Sequence, residues 1–399
     1  MTGTRDEPIV IVGAGMAGYA LAKELRRREC SRPITLVTAD SGRAYSKPML
    51  SNALAQRRTA AALESASAAA LAERLQLQVM TDTQVTAIDR DARMLQTNTA
   101  SVPYADLVLA IGAQPIRVPI TGDAASQVVS VNDLDDYAAW RERLVAAGSD
   151  ARVLVIGAGL IGCEFANDLI TAGFRVTVVD PAARPLGRLA PAAVSDVLAA
   201  ALASSGVDWR FGRTVRDLST SADRTALIAT LDDGTPVSVD CVLSAVGLRA
   251  RVELARDAGL ATGAGIVVDR MLATTDPRIF ALGDCAQIDG QVRPYVAPLL
   301  QAARALAATL SGVPTALELD PAPVVVKTPT CPVVVLQPAA TGDAGRWVGA
   351  PDASGIRLDW RDNEGVLRGF ALAGDRCAER PRLLAAVGRP ATEPAEAIA

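Results

Sequence analysis

Two glycine-rich motifs constrain this chain more than any other feature of its sequence. In each, an apolar run leads into Gly-x-Gly-x-x-Gly and then into a helical stretch: IVIVGAGMAG at 9–18 and VLVIGAGLIGCE at 153–164. In this context the first glycine permits a tight turn, the second lets a pyrophosphate approach the backbone, and the third lets helix and strand pack closely. The helix N-terminus then offers free N–H groups and partial positive charge to the phosphate. Two copies predict two dinucleotide sites, although a ligand-free strand–helix turn is the alternative for either copy alone.

The composition excludes several classes of protein and partner. A chain of 399 residues is too long for one simple core and predicts two or three domains. Its formal charge of −4 argues against a nucleic-acid partner, and no apolar run reaches the length of a membrane span. The N-terminal MTGTRDEP lacks the apolar core of a signal peptide, so we expect a cytoplasmic protein.

The complete absence of histidine restricts the chemistry. It excludes His-based triads and His-metal sites. The six cysteines stand singly, without the C-x-x-C spacing typical of metal sites, and are expected to be reduced and structural. We therefore expect no metal site and assign the chemistry to an organic cofactor.

The first motif is followed by a strand predicted over 34–40, which ends at Asp40. In a dinucleotide fold an acid here bonds a ribose hydroxyl, but alignment on the second motif moves the expected position to Ala39, and an Asp that opens a polar turn is an equally good interpretation. Lys47 follows in a basic stretch, where an ammonium beside a flavin would stabilise negative charge on the reduced ring; a solvated loop is the alternative. Residues 59–76 are predicted as one alanine-rich amphipathic helix.

The second motif is followed by the strand FRVTVVD, which ends on Asp180, 18 positions after Gly162. An acid there suits NAD and repels the 2′-phosphate of NADP, so NADH is favoured, although Arg184 lies close enough in sequence to hold that phosphate. Glu164 is expected to point into the site from the first helical turn; an acid that favours the helix dipole is the alternative.

A third candidate segment lies later in the chain. An apolar strand predicted over 278–282 leads into Gly283 and Asp284. Because α/β sheets place ligands at the carboxyl ends of their strands, Asp284 is a candidate partner of a flavin ribityl hydroxyl, with a turn or N-cap Asp as the alternative.

The last third of the chain predicts a helix and a small domain. The helix is predicted over 299–311 and starts at Pro298. Residues 320–399 alternate four strands with a final helix at 378–387, which indicates a small α/β domain. In it, Lys327 is either a flavin contact or a surface residue of an edge strand.

Several segments together resemble the pyridine nucleotide–disulfide oxidoreductases, flavoproteins with two dinucleotide-binding domains. The resemblance covers nearly the whole chain, and within that group the chain is similar to the rubredoxin–NAD reductases of bacterial alkane oxidation. Besides the glycine motifs, the segments that carry it are YSKPMLS (45–51), AQPIRVP (113–119), GAGLIGCEFANDL (157–169), SAVGLR (244–249), GIVVDR (265–270), ALGDCA (281–286) and VKTPTCP (326–332). It implies an α/β fold with two Rossmann-like domains, one for FAD and one for NAD, plus a small C-terminal α/β domain. The implied boundaries are 1–115 with 248–318 for FAD, 116–247 for NAD, and 319–399 for the C-terminal domain.

The resemblance also implies which residues contact the cofactors. For FAD they are Gly13, Ala14, Gly15, Met16, Gly18, Thr38, Ala39, Asp40, Lys47, Val85 (through its backbone, to adenine), Glu164, Asp284, Val296 and Lys327. For NAD they are Gly157, Gly159, Leu160, Ile161, Gly162, Asp180 and Gly247. Lys47 and Lys327 are expected to tune the flavin. No acid or base is expected, because hydride transfer from NADH needs orientation and contact.

One departure from the wider group bears on the electron path. Disulfide reductases keep a C-x-x-x-x-C pair beside the flavin, whereas Ser46 and Ser51 stand at that spacing here. Electrons are therefore expected to pass from the flavin directly to rubredoxin, and the dimer that completes a disulfide reductase active site is not needed, which favours a monomer. The alternatives are a reductase of a 2Fe–2S ferredoxin or a flavorubredoxin, a less favoured NADH oxidase, and a regulatory protein that holds FAD and NAD without turnover.

Overall fold

The computed structural model describes residues 8–223, 225–338 and 344–389. Within these ranges the backbone contacts divide the chain into two compact units. The first unit comprises the described residues up to Lys47 together with Ala60–Pro115 and Leu248–Asp320. The second comprises Pro48–Thr59, Ile116–Gly247 and the described residues from Pro321 onward. The boundaries implied for three domains stay a prediction.

The described residues form 28 strands, nine α-helices and four 3₁₀ helices, numbered here in chain order. The α-helices are α1 (Met16–Arg27), α2 (Ala60–Leu63), α3 (Ala68–Leu75), α4 (Leu134–Ala147), α5 (Leu160–Thr171), α6 (Ala192–Ser204), α7 (Glu253–Asp257), α8 (Val296–Leu310) and α9 (Arg380–Ala386). The 3₁₀ helices are Lys47–Asn52, Ala125–Gln127, Gly283–Cys285 and Asp375–Glu379. None of the helices in the described ranges combines the length and the apolar character needed to cross a bilayer.

The strands alternate between the two units along the chain. The first unit begins with β1 (Ile9–Val12), β2 (Ile34–Val37), β3 (Ala44–Tyr45), β4 (Glu64–Ala66), β5 (Gln78–Met80), β6 (Val85–Asp89), β7 (Met94–Thr97), β8 (Ser101–Pro103), β9 (Asp106–Leu109) and β10 (Ala113–Pro115). The second unit adds β11 (Arg152–Ile156), β12 (Arg175–Asp180), β13 (Val207–Phe211), β14 (Val215–Thr220), β15 (Leu227–Leu231), β16 (Pro236–Val239) and β17 (Cys241–Ser244). The first resumes with β18 (Leu248–Ala250), β19 (Ile266–Val268), β20 (Ile279–Ala281), β21 (Ala286–Ile288) and β22 (Gln291–Val292). The second ends with β23 (Val324–Val326), β24 (Val333–Leu336), β25 (Gly345–Val348), β26 (Pro351–Asp352), β27 (Gly355–Asp362) and β28 (Leu367–Gly374).

A parallel five-stranded sheet organises the first unit, in the order β20-β9-β1-β2-β5. β1 is central, with Val12 paired to Val37 of β2 and to Leu109 of β9. β1 and β9 are buried along their whole length, as expected of apolar runs in a sheet covered on both faces. Helices α1, α3 and α8 share this core. Because the strands are parallel, the first glycine motif and Asp284 follow strand ends at the same edge of the sheet.

Two of the sheets in the second unit pack around one core. Its parallel sheet has the order β13-β12-β11-β17, and its largest antiparallel sheet has the order β23-β24-β28-β27-β25, with β26 paired to β27. Helix α6 contacts β13 as well as β27 and β28, and a single apolar cluster contains residues of both sheets. The opposite face of the antiparallel sheet packs against α9. The C-terminal segment therefore shares its core with the second dinucleotide motif.

The helix predicted over 59–76 is wrong in its middle. The structure has two helices, α2 and α3, separated by the strand β4, which pairs with β3. Ser67 then caps α3, because its hydroxyl accepts the N–H of Ala70 at 3.2 Å. The alanine-rich composition favours helix throughout, but the pairing with β3 and the new N-cap interrupt it.

Three other predicted elements differ at their ends. The strand predicted over 34–40 ends at Val37, so Asp40 lies in the following loop. The helix predicted to start at Pro298 starts at Val296, which places that proline in the first turn, where a missing N–H costs nothing. The final helix is a 3₁₀ turn, Asp375–Glu379, followed by α9.

Candidate functional site

The two glycine motifs have the same backbone geometry. The first glycine of each has a positive φ, 113° at Gly13 and 105° at Gly157, which favours glycine. A Cβ at either position would also collide with a backbone carbonyl, since it would lie 2.3 Å from the oxygen of Ala110 or 2.7 Å from that of Ala245. Both conditions require glycine, so the predicted tight turns are present.

The third glycine of each motif allows the helix to approach its own strand. A Cβ at Gly18 would lie 2.0 Å from the carbonyl oxygen of Gly13. A Cβ at Gly162 would lie 1.9 Å from that of Gly157. Real Cβ atoms essentially never come within 3.0 Å of another heavy atom, so these positions are closed to any side chain.

The middle glycines behave differently and point to a ligand. A Cβ at Gly15 or Gly159 would have no described heavy atom within 4 Å, and both residues have ordinary φ values of −71° and −72°. Nothing in the described fold therefore requires glycine there. Each is the N-cap of α1 or α5, and neither helix has a side-chain cap among the described residues. An uncapped helix N-terminus beside an open backbone suits a dinucleotide pyrophosphate.

The ends of the second strands distinguish the two sites. The N–H of Gly157 bonds the carbonyl of Val179, and the N–H of Gly13 bonds that of Val37, each at 2.8 Å. The residue after Val179 is Asp180, and the residue after Val37 is Thr38. Neither Asp40 nor Ala39 is therefore the structural equivalent of Asp180, because Thr38 occupies that position.

Asp40 lies two residues further along, in an exposed loop. Its Oδ1 accepts the Thr38 hydroxyl and the Gly42 N–H, both at 2.8 Å, and Ala39 is also exposed. Tyr19 of α1 donates its hydroxyl to the Gly42 carbonyl at 2.5 Å. Burial, followed by the charge of Asp40, raises the pKa of Tyr19 to about 12. This network attaches the loop to α1 beside the first motif.

The other candidates of the first unit lie on separate elements. Asp284 sits in the 3₁₀ turn after β20, where burial raises the pKa of its carboxyl and the nearby charge of Lys47 lowers it. Val296 begins α8, and Val85 begins β6. The charge of Lys47 thus acts on the Asp284 carboxyl. Flavin contacts by these residues stay predictions.

In the second unit, Asp180 is hydrogen-bonded to the second glycine motif. Its carboxylate accepts the N–H of Ala158, inside the motif, at 2.6 Å and that of Ala182 at 2.7 Å. Ile161 is 40% exposed in the first turn of α5, beside Leu160. Gly247, with φ 115°, follows β17.

Glu164 lies inside the second unit, where its side chain is fully buried. Its Oε1 accepts the backbone N–H of Lys327 at 2.8 Å, and its Oε2 accepts the Lys327 ammonium at 2.6 Å. Oε2 also accepts the Ser51 hydroxyl and, at 3.4 Å, the side-chain amide of Asn52. These four residues are called the Glu164 cluster below. From the sequence, Glu164 is interpreted either as a residue that points into the nucleotide site or as an acid that favours the helix dipole. Neither interpretation predicted this buried cluster.

Two more buried polar residues on α5 escaped the sequence analysis. Asp168 accepts the backbone N–H groups of Leu54 and Ala55 at 2.8 and 2.9 Å, and burial raises the pKa of its carboxyl. Asn167 accepts the N–H of Thr330 at 3.1 Å. With Glu164 they form an i, i+3, i+4 face that binds residues 51–55 and 327–330. The available signal was three polar residues at helical spacing in an otherwise apolar helix.

The cysteines carry no disulfide. All six are free, and four of them are buried. Burial raises the pKa of Cys285 to about 11 and that of Cys163 further. Protonated, buried thiols are poor nucleophiles, which agrees with their predicted structural role.

Comparison with known proteins identifies the family. The family described as pyridine nucleotide-disulphide oxidoreductase matches residues 7–307, and the rubredoxin binding C-terminal domain matches residues 316–387. A rubredoxin-NAD(+) reductase of Alcanivorax borkumensis is 43% identical over 94% of this chain and 97% of its own. A nitric oxide reductase FlRd-NAD(+) reductase of Aeromonas hydrophila is 40% identical over 92% of this chain and 93% of its own.

A solved structure supports the same fold over nearly the whole chain. The covalent putidaredoxin reductase–putidaredoxin complex matches with a TM-score of 0.85 and 28% identity, covering 95% of this chain and 93% of that one. The architecture is thus two Rossmann-type dinucleotide domains with a C-terminal domain, as predicted. The chain belongs to the pyridine nucleotide-disulphide oxidoreductase family.

Proposed function

We propose that this chain is an NADH-dependent, FAD-containing reductase that delivers electrons to rubredoxin. One observation carries the proposal: a rubredoxin-binding C-terminal domain follows the two dinucleotide motifs, in a chain 43% identical to a rubredoxin-NAD(+) reductase over almost its full length. With FAD bound, electrons from NADH pass through the flavin to the iron of rubredoxin one at a time.

We assign FAD to the first glycine motif and NADH to the second. The open positions at Gly15 and Gly159, each at an uncapped helix N-terminus, fit a pyrophosphate at both motifs. Asp180 supports NADH at the second, because its fixed carboxylate suits a ribose diol and repels a 2′-phosphate.

The two lysines predicted to tune the flavin each interact electrostatically with a carboxyl group. Lys47 acts electrostatically on Asp284 in the first unit. The Lys327 ammonium is bonded to buried Glu164 in the second, and its side chain is one-third exposed.

The proposal is tested anaerobically with purified protein. NADH should bleach the flavin band, and oxidised rubredoxin should then restore it while becoming reduced. Bleaching without transfer to rubredoxin would move the partner to another acceptor, and a flavin band that NADH does not bleach would favour a regulatory protein.

Two matched variants test the assignment of the motifs. Gly15→Ala should lose FAD, while Gly159→Ala should keep FAD and weaken NADH binding about fivefold or more, since overpacking costs roughly 1–3 kcal/mol. Neither added methyl group meets a described protein atom within 4 Å, so both variants should fold. If Gly159→Ala loses FAD instead, the assignment is reversed.

A second acceptor is favoured by a specific similarity. The 40% identity to a FlRd-NAD(+) reductase supports a flavorubredoxin as the alternative partner. Comparing the rates at which the reduced enzyme reduces rubredoxin, a flavorubredoxin and a 2Fe–2S ferredoxin separates the candidates. We also infer a monomer, which light scattering tests. We place the reaction in the cytoplasm, where the six free cysteines would stay reduced.

A further inference from the structure

The loop after β12 places a fixed negative charge beside the second glycine motif. Asp180 accepts the N–H of Ala158, and the carbonyl of the same alanine accepts the N–H of Leu186 at 2.8 Å. Both ends of this loop, at Asp180 and Leu186, are therefore hydrogen-bonded to Ala158 of the motif. The N–H of Ala182 holds the second carboxylate oxygen of Asp180 at 2.7 Å.

Arg184 lies inside this loop and forms an ion pair with another residue of the protein. Its Nε contacts Oδ1 of Asp196, a residue of α6, at 2.6 Å. The two side chains are 48% and 57% exposed. Arginine is the side chain best suited to a phosphate because its guanidinium donates in a planar fork. Arg184, a cation that could accept a 2′-phosphate at this loop, is thus paired with a carboxylate of the protein itself.

We propose that Asp196 is a specificity-determining residue that acts by positioning Arg184. By pairing with the guanidinium it withholds from NADPH the cation that would bind the 2′-phosphate, and so adds to the repulsion from Asp180. This inference rests on the proposed NADH site at the second motif. Discrimination between NADH and NADPH then depends on two acids. Asp180 repels the 2′-phosphate, and Asp196 pairs with the arginine that would bind it.

A second arginine beside the loop, Arg213, has the same arrangement. The backbone N–H of Arg213 bonds the carbonyl of Asp180 at 3.2 Å, which places Arg213 next to the end of β12. Its Nε contacts Asp233 at 2.7 Å. Two arginines near the predicted ribose position are therefore each paired with an aspartate.

The test measures binding of two redox-inactive probes to the FAD-loaded protein, ADP-ribose and 2′-phospho-ADP-ribose, by titration calorimetry. Asp196→Asn should tighten binding of the phosphorylated probe about two- to fivefold, the range set by the strength of an exposed ion pair, and leave ADP-ribose binding unchanged. Adding Arg184→Gln to that variant should abolish the gain.

The matched control is Asp150→Asn. Asp150 forms an exposed ion pair of the same type with Arg175, at 2.8 Å, but at the opposite end of β12. Asp150→Asn removes the same charge from the protein as Asp196→Asn, so any general electrostatic effect on anionic probes appears in both variants. The phosphorylated probe should bind this control as it binds the unaltered protein.

Three outcomes decide the inference. An unchanged ratio of the two dissociation constants in Asp196→Asn, with normal ADP-ribose binding, overturns this inference but leaves the proposed NADH site standing. Weaker binding of the phosphorylated probe in Arg184→Gln by itself also overturns it, because Arg184 would then already contact the phosphate. Failure of the unaltered protein to bind ADP-ribose overturns the proposed NADH site and this inference with it.

Discussion

Replacing Glu164 by glutamine tests the most deeply buried charge of the second unit. The carboxylate is fully buried and accepts from the Lys327 ammonium, the Lys327 backbone N–H and the Ser51 hydroxyl. Glutamine keeps the shape but offers one accepting oxygen, so an amide N–H must face at least one of these donors. The Ser51 hydroxyl can turn to accept, whereas the ammonium and the backbone N–H cannot.

The magnitude follows from this geometry. Removing one partner of a buried ion pair costs about 3–5 kcal/mol, because the other charge is left buried and unpaired. The Lys327 side chain is 32% exposed, so its ammonium can turn partly toward water. We therefore expect the free energy of unfolding to fall by about 2–3 kcal/mol, at or just below the lower end of that range.

The tryptophans make the assay specific for this unit. All four, Trp140, Trp209, Trp347 and Trp360, lie in the second unit. Their fluorescence during urea denaturation, with excess FAD present, reports the unit that contains the Glu164 cluster. With a slope of about 3 kcal/mol/M, the midpoint of Glu164→Gln should fall by roughly 0.7–1 M.

A double-mutant cycle with Lys327→Met separates the pair from its surroundings. If the two charges interact, the double variant should be less destabilised than the sum of the single variants by about 1–3 kcal/mol. Asp208→Asn is the exposed control, since its pair with Arg210 is about half exposed and should contribute at most about 1 kcal/mol. Additive effects, or a Glu164→Gln midpoint no lower than that of Asp208→Asn, would refute the reasoning.

Two further predictions concern the turns and the first motif. Gly162→Ala should destabilise the second unit by about 3 kcal/mol or more, because its Cβ would lie 1.9 Å from a backbone oxygen. Gly159→Ala should unfold like the unaltered protein in the same urea assay. Equal denaturation midpoints for the two variants would contradict this prediction. Tyr19→Phe loses the hydroxyl bond to Gly42 and should cost about 1–2 kcal/mol at neutral pH. Because the pKa of Tyr19 is raised to about 12, that advantage of tyrosine should be complete below pH 10 and disappear as the pH rises from 10 to 12; denaturation midpoints that differ equally at pH 8 and pH 12 would exclude it.

The glycine motifs could be predicted because their backbone needs are local. Gly13 and Gly157 combine a positive φ with a carbonyl within 2.7 Å of the missing Cβ. Gly18 and Gly162 leave no room for any side chain. Such constraints act within a few residues and one neighbouring strand, so a short sequence pattern captures them.

The Glu164 cluster could not be predicted because its partners are distant in sequence. Ser51 lies 113 positions before Glu164, and Lys327 lies 163 positions after it. The break between α2 and α3 has the same cause, since residues 64–66 pair with residues 44–45. In each case a contact made by the fold overrode what the local residues favour.

Comparison of the two motif helices shows why burial of polar groups is not a local property. Matching Gly13 to Gly157 makes Ala20 of α1 the counterpart of Glu164 in α5. The matched positions three and four residues further on are polar in both helices. They are Lys23 and Glu24 in α1, which are exposed and half-buried, and Asn167 and Asp168 in α5, which are buried.

The difference arises from what covers each helix. On α5, backbone N–H groups of residues 54–55 and 330 cover the polar face and bond its side chains. On α1, Glu24 instead forms a surface ion pair with Arg27 at 2.5 Å. Two helices that follow the same glycine pattern therefore carry polar side chains at the same positions with different roles. The motif predicts where a dinucleotide binds, and the segments packed on the helix decide which polar residues become structural.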